Sequence, residues 1–281
     1  MSSENNGSKP DSQEPGPSSG TTQRLSARAP SAWGAARDAL AAMHNLDALL
    51  RSASVPYRTI RDVLPELRSS ARVLREVFER ARLADETLAA VGDYGGGRVA
   101  ELERLLDATA AAGEERAELA KRARSLADEL ESAADLLALL ERAAEPVRTE
   151  VSVDVIVRET ARLSGSGRGR EIAVRLDEAV PDCTVNTDPY VVGPLLALMV
   201  AWVHAAGVAD LVVRARCVLP LATFTIEPAE PGDATLPAIA LRILPAVAPT
   251  EPAARRVAEQ IGATLTLASG RGALQLPCAG G

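Results

Sequence analysis

The chain has 281 residues, 47% of them hydrophobic but only 2% aromatic, so a sizeable core has to be built from Ala, Leu and Val. A net charge of −7 leaves little basic surface to displace counterions from phosphates, which argues against nucleic-acid binding. The longest apolar run, Val191 to Val203, is shorter than the roughly 20 residues a bilayer requires and carries Gly193 and Pro194 near its start, so no membrane insertion is expected.

Residues 1–31 are rich in Ser, Gly, Pro and Asn without apolar periodicity, and are expected to form a disordered tail. They lack the apolar segment of a signal peptide. From Trp33 to about Ala144 the pattern is helical. "SAWGAARDALAAMHNLDALLRSA" puts Leu40, Met43, Leu46 and Leu50 on one stripe, with Ser31 as its cap. Pro56 falls in the first turn of the next helix, and Pro65 is expected to break or kink it. "GDYGGG" (92–97) reads as a loop, since so many glycines weaken a helix.

Leu119, Ala123, Leu126, Leu130, Ala133, Leu137, Leu140 and Ala144 then alternate at spacings of four and three. This is a heptad seam flanked by charges such as Glu115, Lys121, Arg124 and Glu131. It can pack within the chain or against a second copy, and the sequence does not choose between the two. Pro146 ends the helix and the texture changes. "VDVIVRETARL" reads as a helix, "EIAVRL" as a strand, and "DPYVVGPLLALMVAWVHAAG" as a buried helix. "ADLVVRARCV", "LATFTIEP" and "AIALRIL" read as strands, "EPAARRVAEQI" as a helix stopped by Gly262, and "ATLTLASGRGALQLP" as a closing hairpin. The expected fold class is α+β: a helical bundle or coiled-coil hairpin (32–146), then an α/β sandwich (147–281) with helices on one face of a mixed, mostly antiparallel sheet.

The three cysteines, Cys183, Cys217 and Cys278, lie far apart in sequence and show no metal-ligand spacing. Two histidines, His44 and His204, are too few for a histidine-based metal site. No metal and no cofactor are expected, and the odd cysteine count suits a reducing cytoplasm.

Several stretches resemble the bacterial sensor histidine kinases, which join a dimerising phosphoacceptor helical domain to an ATPase domain of the gyrase, chaperone, kinase and mismatch-repair (GHKL) type. "ADELESAADLLALLERAAEPVRTEVSVDVIVRETARL" resembles the second dimerisation helix, the linker and the first ATPase-domain helix. "REIAVRLDEAVPDCTVNTDPYVVGPLLALMVAWVHAAG" resembles the strand, turn and helix that normally bear the ATP-site asparagine. "AARRVAEQIGATLTLASGRGALQLP" resembles the family's last helix and hairpin. The likeness runs from about 118 to 277 in the family's order. It implies a homodimer in two-component signalling, with response-regulator receiver domains as partners.

The family's ATP devices are missing. Residues 195–207 hold no Asn, Asp, Glu or Gln, and a one-residue slip in register would put Ala201 or Trp202 at the asparagine position. Neither can ligate a metal. The adenine turn D-x-G-x-G is replaced by "TIEPAEPGDATLP", where Asp233 follows Gly232. The glycine-rich lid is replaced by "AIALRILPAVAPTEPAARR", which has no glycine to let backbone N–H groups approach phosphates.

His44, in "AAMHNLDALLR", is the candidate phosphoacceptor implied by the resemblance. It shares a helix edge with Arg51, the candidate phosphate stabiliser, and an exposed imidazole there could attack a phosphoryl group. The family's acidic neighbour is replaced by Asn45, and its small-Pro pair by Ala48-Leu49. His204 is read as a helix C-terminal residue. "SGSGRGR" (164–170) precedes a strand, whereas phosphate loops feed a helix, so it is read as a turn. Three functions follow: a phosphotransfer protein or pseudokinase adaptor; a structural or partner-binding coiled-coil protein; and an active kinase with a divergent ATP site.

Overall fold

A computed structural model describes residues 32–111, 115–164, 170–177, 183–243 and 245–279. The expected tail (1–31), its Ser31 cap and most of "SGSGRGR" lie outside the described residues. Four helices come first: α1 (Ala32–Arg51), α2 (Tyr57–Arg82), α3 (Glu86–Ala111) and α4 (Arg116–Ala144). They pack as one bundle, with α1 against α2 and α4, and α3 against α2 and α4. Leu40, Met43, Leu46 and Leu50 of α1 are buried as their spacing requires, and so are Ile60, Leu64, Leu67, Ala71, Leu74 and Phe78 of α2.

Two local expectations are corrected here. Pro65 does not break α2, which continues for four more turns beyond it. The proline is solvent-exposed, so water can take the carbonyl it leaves unpaired, while Leu64 and Leu67 hold the helix to the core. The glycine run is not a loop but lies inside α3. A Cβ on Gly92 would sit 2.6 Å from the Phe78 carbonyl oxygen, and one on Gly95 would overlap the Phe78 ring. These two glycines let α2 and α3 approach closely, and that packing offsets their low helix propensity. Gly96 and Gly97 meet nothing.

The heptad seam is covered within the chain. Leu119, Ala123, Leu126, Leu130, Ala133, Leu137 and Leu140 are all buried, and α1 and α3 lie against α4. The last expected member, Ala144, is exposed, and Ala143 is buried in its place. Fourteen of the 29 residues in α4 are buried, more than one stripe supplies, because α7 and α6 pack against it from the other side. This helix is therefore the shared wall between the bundle and the α/β half.

That half contains β1 (Thr149–Ser152), α5 (Val153–Ser164), β2 (Arg170–Asp177), β3 (Thr184–Thr187), α6 (Pro189–Ala205), β4 (Leu211–Val218), β5 (Leu221–Pro228), a 3-10 turn at Pro231–Thr235, β6 (Ala238–Ile243), α7 (Thr250–Ile261), β7 (Thr264–Ala268) and β8 (Arg271–Pro277). The main sheet runs β6-β2-β4-β5-β8-β7, with only β2–β4 parallel. The expected mixed sheet is thus observed. Alternation sends Val213, Ala215, Phe224, Ile226, Leu274 and Leu276 to the face covered by α6, and Arg214 and Glu227 to the opposite face. The strands β1 and β3 form a separate antiparallel pair that periodicity could not detect, since each is only four residues long. Among the described residues no helix is long and apolar enough to cross a membrane.

Candidate functional site

Helix α1 turns His44 towards α4. Its Nε2 lies 2.9 Å from Glu131 Oε2, and only 9% of the side chain is exposed. Asp128 sits one turn before Glu131 on the same face, and the ligand atoms of His44, Asp128 and Glu131 all lie within 4.8 Å of one another. Burial pushes the Asp128 carboxyl above its ordinary range; His44 and Arg124 pull it back down, and Glu131 adds to the rise. Arg51 is exposed, with its Nε donating to Asp47 Oδ1 at 2.7 Å.

The expected surface imidazole is therefore corrected: His44 is enclosed, and Arg51 is engaged by its own helix. Periodicity locates the centre of an apolar stripe but not its width, and a position beside the stripe becomes interior once α4 closes over it. Glu131 had read as a solvated flank of the seam, and its pairing across the bundle left no trace in spacing. Chemically the arrangement is an imidazole oriented by a carboxylate. If Glu131 accepts from Nε2–H, the lone pair resides on Nδ1.

The residues that the resemblance aligned with the family's ATP devices make contacts within the protein. On α6, Ala201 is buried and Trp202 half-buried, both among apolar neighbours. Both carboxylate oxygens of Asp233 accept from Arg214 Nη2 at 2.7 Å, and Oδ2 also accepts from the Glu230 backbone N–H at 2.8 Å. Arg214 further donates to Glu227 at 2.9 Å and Asp177 at 3.2 Å. The Glu230 N–H, then Arg214, hold the Asp233 carboxyl below its ordinary range, and the Asp233 hydrogen bonds keep Arg214 charged. Residues 245–249, ahead of α7, are fastened to the bundle, since Ser132 Oγ donates to the Pro245 carbonyl at 3.0 Å and Val247 is buried.

Asp188 of "NTDPY" is 1% exposed and joins the two halves. It accepts from Tyr190 N–H and caps α6, from Val147 N–H, and from Arg142 Nε at 3.0 Å and Nη2 at 3.3 Å. His204 ends α6 as expected, with Nδ1 3.0 Å from the Val208 carbonyl.

The cysteines, far apart in sequence, come together in the fold. Cys183, Cys217 and Cys278 meet, their sulfur atoms all within 4.8 Å of one another and Cys217 Sγ 3.4 Å from Cys278 Sγ. Burial pushes the Cys183 thiol up to about 12 and raises that of Cys278. Sequence spacing could not show this, because β4, the end of β8 and the separate β1–β3 pair meet only in the tertiary fold.

No protein-family model matches the chain, and no curated protein matches it. Among solved structures, the chain is similar to the Acinetobacter baumannii histidine kinase AdeS at 12% identity, with a TM-score of 0.41 over 65% of this chain and 94% of that one. It is also similar to a histidine kinase from Burkholderia phymatum STM815 at 17% identity, with a TM-score of 0.32 over 70% of this chain and 98% of that one. At these identities no residue's role passes from either protein to this chain.

Proposed function

We propose that this chain is a two-component signalling adaptor on a histidine-kinase-like scaffold that does not use ATP, with a receiver domain as its partner. What supports the reading is how the residues that the resemblance aligned with the ATP devices are engaged. The carboxylate of Asp233 is consumed by Arg214, and α6 presents Ala201 and Trp202 where a metal-binding amide would be needed. Calorimetry with Mg·ATP should give no saturable heat at sub-millimolar concentration, and labelled ATP should leave no phosphoprotein. Micromolar binding or autophosphorylation would reject the reading. It includes a homodimer; because α1 and α3 cover the seam of α4, the pairing face lies elsewhere on the bundle. Light scattering on the full chain should give twice the monomer mass, and a monomer removes that part.

A second reading, phosphotransfer through His44, is favoured by the Glu131 pair, because a carboxylate that orients an imidazole also accepts its proton. The phosphoryl group would leave a receiver aspartate as its P–O bond breaks, form a P–N bond at the ring, and release the ring proton to Glu131. The enclosure of His44 requires α1 to shift for this to occur. Incubation with a phosphorylated receiver and no ATP should then give an acid-labile, base-stable label lost in His44→Gln. Receiver binding without label leaves the adaptor reading alone.

A further inference from the structure

The chain contains three cysteines in all, and three separate segments deliver them to one point. Cys183 precedes β3, Cys217 lies near the end of β4, and Cys278 follows β8. Their backbones are pinned. The Cys278 N–H donates to the Pro220 carbonyl at 2.8 Å and pairs in a bridge with Val185, while the Cys183 carbonyl accepts from Val153 N–H at 3.1 Å. The Ala279 N–H donates to Thr184 at 2.8 Å and closes the frame. Cys278 is buried, and Cys183 and Cys217 are half-buried, so the cluster can be reached from the surface.

Three thiols offer one another little. Each S–H is a weak donor and each sulfur a weak acceptor, so the group gains little from mutual hydrogen bonding. A single soft cation satisfies all three at once. Sulfur atoms around a tetrahedral ion at about 2.3 Å stand about 3.8 Å apart, which suits a cluster whose sulfurs lie within 4.8 Å of one another. A disulfide is the poorer fit: it needs sulfurs about 2.05 Å apart and leaves one thiol of the three unused.

We propose that Cys183, Cys217 and Cys278 form a binding site for one soft, thiophilic metal ion, held by three thiolates with a fourth position open to water. For a divalent ion, three thiols lose three protons, three metal–sulfur bonds form, and one water completes the shell, giving a site of net charge −1. No oxidant is involved. Thiolate donors select such ions over magnesium and calcium, which require oxygen ligands.

The test uses the full chain, reduced and then desalted anaerobically, with Zn²⁺ alone as the probe. About one zinc per chain should survive desalting, release about three protons, and protect all three cysteines from alkylation. X-ray absorption should show three sulfurs at about 2.3 Å. Each of Cys183→Ser, Cys217→Ser and Cys278→Ser should weaken zinc by about tenfold or more while the circular dichroism is unchanged. Zinc should raise the melting temperature of the parent but not of the triple serine variant. Equal alkylation with and without zinc overturns the proposal, as does stoichiometric binding that persists in the triple variant. A Cys217–Cys278 disulfide in freshly isolated protein, with no zinc uptake after reduction, overturns it as well.

Discussion

The molecule holds two charged clusters of similar composition that behave in opposite ways. On the open sheet face, Arg214 stands among Asp177, Glu227 and Asp233, and every carboxylate receives a guanidinium hydrogen bond of 2.7 to 3.2 Å. Between α1 and α4, His44 stands beside Glu131 and Asp128. The Asp233 carboxyl is held below its ordinary range, whereas the Asp128 carboxyl is pushed above it. The difference lies in the cation and in the burial. A guanidinium is always charged and has five donors, enough to satisfy several carboxylates; an imidazole has two nitrogens, one of them already given to Glu131. The first cluster is a lock. In the second, burial leaves a carboxyl shifted towards its neutral form.

The largest effect expected from breaking this contrast comes from Arg214→Met. It takes from three carboxylates the guanidinium that bonds all of them, leaving Arg175 as the cation that still acts on Asp233, and the melting temperature should fall by about 5 °C or more. The pH dependence gives the sign. Asp233 has a lowered folded-state value, so its stabilisation is present above the ordinary 3.8 and is lost as pH falls through the lower value. Urea titrations should show the parent losing stability in that acid window and Arg214→Met losing less. A variant as stable as the parent would make the hub ornamental.

A smaller effect of opposite sign is expected at Asp128. Its folded-state value is raised, so between 3.8 and that value the folded chain binds more protons, and stability declines as pH rises. Asp128→Asn removes that buried charge, so it should lessen the decline, leaving the part set by Asp135, whose carboxyl burial pushes up to about 7, and keep stability at pH 7 equal to the parent's or higher by up to about 1 kcal/mol. Urea midpoints from pH 4 to 7 measure it. If Asp128→Asn were instead strongly destabilising, the carboxylate would be a satisfied partner and the two clusters would be alike.

The parts of the fold visible in the sequence are those with sustained periodicity. The α1 stripe, the α4 seam, β4, β5 and the final hairpin all follow from spacing, because each repeats its pattern over several turns or residue pairs. What stayed hidden depends on what lies across the gap. Gly92 and Gly95 are helical only because the Phe78 ring and backbone occupy the space of a side chain, a fact carried by α2 and not by the run itself. The pairing of His44 with Glu131 spans 87 positions, and the cysteines converge from three segments. Asp188 lies in a turn legible from "NTDPY", yet its bonds to Arg142 and Val147 exist only because α4 ends beside α6.

The smallest stability effect, and the finest test of the contrast, is expected from His44→Gln. A glutamine amide can still donate to Glu131 at the same depth in the bundle, so unfolding free energy at pH 7 should change by less than about 1 kcal/mol. What glutamine cannot supply is a group able to carry positive charge. His44 is one of the two groups that pull the Asp128 carboxyl down, leaving Arg124 to do so alone in the variant. Carboxyl titration by nuclear magnetic resonance should therefore find the Asp128 value higher in His44→Gln than in the parent. In the variant the share of the decline contributed by Asp128 should extend further upward in pH, on top of the unchanged share from Asp135, whose carboxyl burial pushes up to about 7. Asp233, on the far side of the sheet from the helices, should titrate identically in both proteins. An unmoved Asp128 would mean that His44 and Asp128 do not act on each other, and the second cluster would reduce to one isolated hydrogen bond between His44 and Glu131.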